Sequence, residues 1–312
     1  MKRLPQIAFP TMLAIAASLF VTAAGAQNSP AMADPSGMPD QGPDPAAVNQ
    51  APVQDAPSGP SYTTQAPPPN QAAPDQGAPG QYPDSTYADQ PTQTSPDAPP
   101  PLPDYDQPPP PSDGYVWTPG YWAWSPAGYY WVPGAWVEPP YVNALWTPGY
   151  WGFYTGRYMF YPGHWGMHIG FYGGINYGFG YVGFGYEGGY WNSGHFFYNR
   201  VYNNVDVRMV HNVYNYHANV RAGYATPRSS FRGGAGVQAR PMPSEAAAYR
   251  EPYAPRMNTQ VQHEQSFSNV HGQLATENHG RPASPAISRP IPADHNVHPQ
   301  SRGGGGGGEH KR

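Results

Sequence analysis

Cysteine is absent from the 312-residue chain. Its absence excludes disulfide bonds and thiolate metal ligands, and it also excludes a lipid anchor attached to a cysteine after export. An oxidising compartment permits disulfides but does not require them. Any fold must therefore be held together by side-chain packing and backbone hydrogen bonds.

Charged residues are also scarce. Only 12% of the residues are charged, and residues 27–156 contain no Lys or Arg. From Arg200 onward, 13 basic residues stand against 7 acidic ones. This excess is too dilute to predict a specific nucleic-acid site. Contact with polyanions and contact with the acidic N-terminal segment are the two alternatives for the basic tail.

Long apolar runs are missing except near the N-terminus. Lys2 and Arg3 precede an apolar run over 11–24, and the small residues Ala24 and Ala26 lie just before Gln27. The run is too short to cross a hydrocarbon core of about 30 Å comfortably. We therefore predict a signal peptide over 1–26. The mature protein is expected in the periplasm, at the outer-membrane surface or outside the cell, with no transmembrane segment after cleavage.

Proline and glycine are abundant, with 43 and 37 residues. This level is typical of low-complexity or disordered segments. Residues 27–114 carry eleven Asp and no basic residue, and they have too little apolar surface to offset their conformational entropy. We predict that they form a disordered acidic Pro-rich segment. Residues 222–312 are expected to form a mostly disordered basic tail, with a short helix over 259–275 where apolar residues recur at helical spacing.

Aromatic residues dominate the stretch between these segments. Residues 115–198 contain 31 of them, including all nine Trp. A Trp-x-x-Gly-x-Trp-like motif recurs there, and its first positions are 14, 15, 14 and 26 residues apart. The copies are 117–122 (WTPGYW), 131–136 (WVPGAW), 146–151 (WTPGYW), 160–165 (FYPGHW) and 186–191 (YEGGYW). Self-similarity at a near-fixed period indicates a modular array of hairpin-sized units.

The repeats predict a mainly β fold over 115–221, in which short antiparallel aromatic-rich strands form a repeat array flanked by long disordered Pro/Gly-rich segments. Aromatic residues favour strands, and those of neighbouring copies are expected to pair across the sheet. Pro followed by Gly suits the centre of a type II turn, where Gly supplies a positive φ. The predicted turn glycines are Gly120, Gly134, Gly149, Gly163 and Gly189.

The aromatic content exceeds what one small sheet can bury. Either another layer covers one face of the sheet, or aromatic surface stays exposed for a partner, as large apolar patches usually indicate. Exposed rings in rows would suit stacking on sugar rings of a cell-envelope polysaccharide or peptidoglycan. The alternative is that the same side chains form the core. The candidate interaction surface comprises Trp117, Trp122, Trp131, Trp136, Trp146, Trp151, Trp165 and Trp191.

Residues 170–190 alternate Gly with Phe or Tyr. Gly-rich strands are weakly specified in register and prone to alternative pairing. The segment is therefore either a glycine-rich loop or sheet edge, or a segment through which the protein associates with itself.

No catalytic constellation is recognisable in the sequence. Glu138 and Glu187 are formally available as a carboxylate pair, but neither lies in a motif that supports glycoside hydrolysis. His164 and His168 have a spacing that suits a metal only on a helix, and this stretch is rich in Gly and aromatic residues. We expect neither a metal site nor a cofactor, and we expect that the protein is not an enzyme.

Residues 117–165 resemble the YXWGXW (WxxGxW) repeat-containing proteins of bacteria. The resemblance rests on the three full tandem copies and extends over residues 115–285 at most. The chain departs from the motif at Phe160 and Tyr186, where the first Trp is replaced, so these two copies are the least secure as equivalent sites. The resemblance implies an exported protein and carries no activity with it.

Three functions remain open at this point. The preferred one is an exported cell-envelope or surface structural or interaction protein, whose aromatic repeats form a binding or packing sheet. The alternatives are a self-assembling extracellular matrix component and a glycan- or peptidoglycan-binding module.

Overall fold

The computed structural model describes residues 43–53, 90–218 and 228–301. The predicted signal peptide over 1–26 lies outside these residues. The strands among the described residues are β1 (Gln93–Ser95), β2 (Val116–Thr118), β3 (Tyr121–Ser125), β4 (Gly128–Val132), β5 (Ala135–Val137), β6 (Leu145–Thr147), β7 (Tyr150–Tyr154), β8 (Arg157–Tyr161), β9 (His164–Gly166), β10 (Asn176–Gly178), β11 (Tyr181–Val182), β12 (Gly189–Asn192), β13 (His195–Asn199), β14 (Val213–Tyr214), β15 (Phe231–Arg232) and β16 (Ala254–Pro255). The helices are α1 (Pro45–Val48), α2 (Pro243–Ala248), α3 (Asn258–Phe267) and α4 (Ala275–Asn278).

Short antiparallel aromatic strands make up most of this architecture, which confirms the predicted mainly β fold. Most strand pairs are antiparallel; the pairs β13–β14 and β15–β7 are parallel. In the described part of the chain, no helix is long and apolar enough to span a bilayer.

The first two repeat copies combine into one unit, which we call module 1 (residues 116–137). Strands β3 and β4 form a hairpin, and β2 pairs with β5. As a result, Trp122 lies opposite Trp131, and Trp117 lies opposite Trp136. The ring centroids of the two pairs are 5.2 and 5.3 Å apart in edge-to-face geometry, which favours aromatic contact.

The next two copies form module 2 (residues 145–166) with the same pairing. Strands β7 and β8 form its hairpin, and β6 pairs with β9. Trp146 lies opposite Trp165, and Trp151 lies opposite Phe160. Phe160 therefore occupies the place that Trp131 has in module 1, so this degenerate copy is structurally equivalent to the full ones.

The last copy is only half a module. Strands β12 and β13 form a hairpin in which Trp191 faces Phe196, with ring centroids 5.2 Å apart. We call it the third hairpin (residues 189–199). No strand pair like β2–β5 accompanies it among the described residues, because β13 instead pairs in parallel with β14. The motif's first aromatic residue, Tyr186, is buried in the loop before β12.

The repeat glycines do not adopt the conformation predicted for them. None of Gly120, Gly134, Gly149, Gly163 and Gly189 has a positive φ, so the type II turn prediction is wrong. Glycine is needed there because two chain segments cross closely. A Cβ on Gly149 would lie 2.7 Å from the Tyr161 carbonyl oxygen and 2.8 Å from the Phe160 ring. Positive φ values occur instead at the hairpin tips, such as Gly128 and Gly156.

Segments outside the repeats complete the sheets and cover them. Strand β1 pairs with β8, and β15 pairs with β7, which gives a four-stranded sheet. Strand β16 joins β9, and the chain around Ala286 and Ile291 pairs with Gly134 and Val137.

Residues 90–114 and 228–301 thus differ from the disorder that composition predicts for 27–114 and 222–312. Their own apolar surface is small, but the aromatic modules supply the surface against which they pack. Helix α3 lies within the range predicted to be helical, apart from its first residue, and it ends before Gly272. The remaining parts of the two predicted disordered segments lie largely outside the described residues.

Candidate functional site

Seven of the eight predicted surface tryptophans are core residues. Trp191 is half-buried, and the others are at most 5% exposed. The seven buried ones are Trp117, Trp122, Trp131, Trp136, Trp146, Trp151 and Trp165. This burial favours the alternative in which these side chains form the core, because rings enclosed on all sides cannot stack on a sugar.

Three of the buried indoles donate to proline carbonyls. Trp122 Nε1 donates to the Pro101 oxygen at 3.2 Å, and Trp136 Nε1 donates to the Pro108 oxygen at 2.7 Å. Trp131 Nε1 donates to the Pro285 oxygen at 2.9 Å. Proline has no N–H, so a Pro-rich segment cannot join a sheet as a full strand, but its extended backbone still offers carbonyl acceptors. These bonds explain how low-complexity segments are held on the modules.

The two modules are also linked to each other. Trp151 Nε1 donates to the Trp122 backbone oxygen at 2.7 Å. The Tyr181 hydroxyl lies 2.8 Å from the Trp146 oxygen and 3.2 Å from the Trp117 oxygen. One tyrosine therefore contacts the backbone of both modules.

Residues 170–190, in which Gly alternates with Phe or Tyr, are buried at several positions. Tyr172, Tyr177, Tyr181 and Tyr186 are all buried. The Tyr177 hydroxyl donates to the Gly149 oxygen at 2.6 Å. Their burial weakens the case that this segment associates with another copy, because such pairing would require these side chains to leave the core.

Buried carboxylates were not singled out by the sequence, except for Glu187. Glu264 is paired with Arg256 and accepts a hydrogen bond from the Tyr121 hydroxyl at 2.7 Å. Glu187 and Glu245 are 2% and 1% exposed. Burial and then the Asp44 charge raise the pKa of Glu187 to about 7, and burial raises the pKa of Glu245 to about 8.

His164 and His168, the two histidines with metal-like spacing, have structural roles. His164 is buried in β9, and His168 is paired with Glu251 at 2.8 Å. Over the described ranges, no group of three or more His, Asp or Glu side chains is placed to hold a metal ion.

Of the eight predicted surface tryptophans, the one that remains partly accessible is Trp191. It borders a cavity of about 440 Å³, which is within the range of about 300–1,000 Å³ typical of small-ligand sites. We call this cavity the Trp191 groove; its lining comprises Ser112, Asp113, Gly114, Tyr115, Glu138, Pro139, Pro140, Tyr141, Val142, Trp191 and His295. A second cavity of about 230 Å³ is also lined by Trp191, together with Asn143 and Met167 among others.

Two loops and the third hairpin position the groove. The Trp191 indole is oriented by a hydrogen bond from Nε1 to the Ala144 oxygen at 2.9 Å and by the edge of Phe196. Asp113 pairs with His211 at 2.7 Å. Glu138 accepts a hydrogen bond from the Ala293 N–H at 3.2 Å.

The Tyr141 hydroxyl oxygen is enclosed and has no hydrogen-bond partner among the described residues. Burial raises the pKa of Tyr141 to about 12, so the hydroxyl keeps its proton at physiological pH. For Asp113, burial acts to raise the pKa, but the hydrogen bonds and charge of His211 outweigh it and lower the pKa. The Asp113 and Glu138 carboxylates therefore belong to residues that line the groove, and the Tyr141 hydroxyl is enclosed beside it.

A third cavity, of about 290 Å³, lies under the Pro-rich segment, between Tyr105, Trp131 and the β10–β11 turn. Arg228 and Asp104 border it and pair at 3.2 Å. The Tyr105 hydroxyl is already used as an acceptor from the Gly120 N–H. We regard this cavity as packing space between layers.

Comparison with known proteins identifies the repeat itself. The WXXGXW repeat family matches residues 113–137 in two copies, which coincide with module 1. No curated protein and no solved structure matches the chain. Module 2 repeats the same strand pairing over 145–166. The chain is a WXXGXW repeat-containing protein.

Proposed function

We propose that this protein is an exported, non-enzymatic structural or interaction protein of the cell envelope or cell surface. Its aromatic repeats act as a packing sheet, and Pro-rich segments cover that sheet. The burial of seven repeat tryptophans carries this proposal. Side chains enclosed in this way serve stability, and they leave interaction to the surface around them.

The carboxylates support a role without catalysis. A general acid and a base must face one substrate from suitable positions. Glu138 lines the Trp191 groove, whereas Glu187 lines neither cavity beside Trp191. Glu264 is neutralised by Arg256. These placements separate Glu138 from Glu187, the carboxylate pair that the sequence offered for catalysis.

The self-assembling matrix component is the weaker alternative, because the tyrosines on which it depended are buried. The glycan-binding alternative is favoured by the groove at Trp191, and it is developed below.

Export can be tested by mass spectrometry of the protein recovered from fractionated cells. We expect a mature chain that begins at Gln27 and is found in the periplasmic, outer-membrane or extracellular fraction. A variant with Lys2 and Arg3 replaced by Glu should accumulate uncleaved in the cytoplasm. Wild-type protein with an intact N-terminus in the cytoplasmic fraction would contradict the proposal.

A further inference from the structure

We propose that the Trp191 groove binds a neutral pyranose oligosaccharide, N-acetylated sugars included. The inference deepens the proposed function, on which it rests, by naming the class of partner that the surface recognises. It is carried by the geometry of one half-buried indole and the polar groups around it.

Trp191 supplies the apolar platform. It is the repeat tryptophan that the cover leaves accessible, and it borders cavities of about 440 and 230 Å³. Its orientation is held by the Ala144 carbonyl and by Phe196. The face of an indole carries negative charge density, which attracts the polarised C–H groups on one face of a pyranose ring. A fixed ring also reduces the entropy lost on binding.

Further aromatic and apolar groups extend this platform. Tyr115 and Tyr141 line the same groove as Trp191. Val142 and Met167 border the two cavities and are 64% and 45% exposed. Sugar C–H faces would cover this apolar surface.

Polar groups at the groove match sugar hydroxyls. Glu138 and Asp113 offer carboxylate oxygens, which accept hydrogen bonds from hydroxyl groups. The enclosed Tyr141 hydroxyl lacks a partner among the described residues, and Asn143 Oδ1, beside the second cavity, also lacks one. An unpaired buried polar group is destabilising. A ligand hydroxyl that reaches Tyr141 would recover part of this cost.

Charge determines which saccharides fit. Asp113, which is paired with His211, and Glu138 are acidic residues that line the groove, and no Lys or Arg among the described residues lines it. Uronic acids and phosphorylated sugars would meet like charges, which disfavours binding. Neutral sugars have no such penalty, so we infer selectivity for neutral over acidic strands.

The test uses the mature full-length chain and isothermal titration with three hexasaccharides: cellohexaose, the hexamer of N-acetylglucosamine, and a hexamer of galacturonic acid. We expect at least one neutral hexamer to bind and the acidic hexamer not to bind. Trp191→Ala should weaken binding at least tenfold. Trp124→Ala is the matched control, because Trp124 is also half-buried but lines neither cavity.

Two further variants keep the proposal falsifiable if Trp191→Ala does not fold. Tyr141→Phe removes only the hydroxyl and should weaken binding several-fold. Glu138→Gln removes one negative charge from the groove but keeps an acceptor oxygen for the Ala293 N–H, so it should reduce discrimination against the acidic hexamer.

Any of three results would overturn the proposal. These are no binding of either neutral hexamer, preference for the acidic hexamer, or variants Trp191→Ala and Tyr141→Phe that bind the neutral hexamers as tightly as the wild type. If the groove holds a protein in place of a saccharide, none of the hexamers will displace that protein. This result would also overturn the proposal. These outcomes leave the proposed envelope role intact, because export is measured separately by fractionation.

Discussion

Modules 1 and 2 and the third hairpin start from the same motif but differ in what they leave exposed. In each module, two motif copies cross. As a result, the hairpin strands (β3–β4 or β7–β8) and the outer strand pair (β2–β5 or β6–β9) enclose one another. In the third hairpin, Tyr198 and Asn199 stand where the modules have Pro-Gly, and among the described residues the chain does not return to build an outer pair. Trp191 is therefore left with an open side. A complete pair of motifs buries its motif tryptophans, and the incomplete one leaves Trp191 half-buried.

The crossing glycines provide the strongest way to break the modules. Gly149→Ala should destabilise the protein by about 3 kcal/mol or more, because the new methyl group would overlap the Phe160 ring and the Tyr161 carbonyl. Urea unfolding of the mature chain measures this change. Gly156→Ala is the control: its Cβ meets nothing within 4 Å and it has a φ of +80°. It should cost about 1 kcal/mol, for backbone reasons alone. Equal losses would show that close crossing is not the constraint.

The second prediction concerns the buried acids, one of which directly precedes the third hairpin. Glu187 and Glu245 have pKa values of about 7 and 8 in the folded protein, above the ordinary value of about 4.3. The folded state therefore retains protons that the unfolded chain has lost. This stabilisation is present at low pH and is lost as the pH rises through 7 and 8.

We expect the free energy of unfolding to fall by about 2 kcal/mol between pH 6.5 and 8.5. This window lies at or above the ordinary pKa of histidine, so the contribution of His263, whose pKa burial lowers, stays small there. The double variant Glu187→Gln/Glu245→Gln should show a flat profile. An unchanged slope in that variant would assign the pH dependence to other groups.

The smallest expected effect tests the role of the Pro-rich segments that cover the modules. Trp136 Nε1 donates a hydrogen bond to the Pro108 oxygen. Trp117 lies opposite Trp136, and its Nε1 has no hydrogen-bond partner among the described residues. Trp136→Phe and Trp117→Phe remove similar volume from one site. We expect Trp136→Phe to cost about 1 kcal/mol more, because it also removes a hydrogen bond. Thermal unfolding of both variants would reveal the difference, and equal costs would remove the argument for proline carbonyls as anchors.

Sequence reasoning was strongest where the signal is local. Alternating aromatic residues and the Gly at the hairpin tips specify short antiparallel strands, and cross-strand pairs such as Trp117–Trp136 were expected from the repeat. The function of the repeat glycines was misassigned, because a Pro-Gly dipeptide fits a turn as well as a crossing. Only the facing chain, supplied by the next motif copy, distinguishes the two.

The candidate site was the least predictable part. The repeat pattern identifies Trp191, but its difference from Trp151 depends on which residues cover each ring. Tyr141, Glu138 and Asp113 belong to separate loops and strand ends, and no periodicity links them. The exposure of Val142 beside Trp191 was one observation that sequence could not supply.

The sequence by itself determined the repeat, the strands and the pairing of motif copies, because these depend on side chains a few residues apart. Only the tertiary structure decided which tryptophans became core and which stayed accessible. The covering segments, around Pro101, Pro108 and Pro285, lie up to 154 residues from the indoles that they bind. Their composition carries no periodic signal of that contact, since a proline carbonyl becomes an anchor only when an indole N–H is placed opposite it.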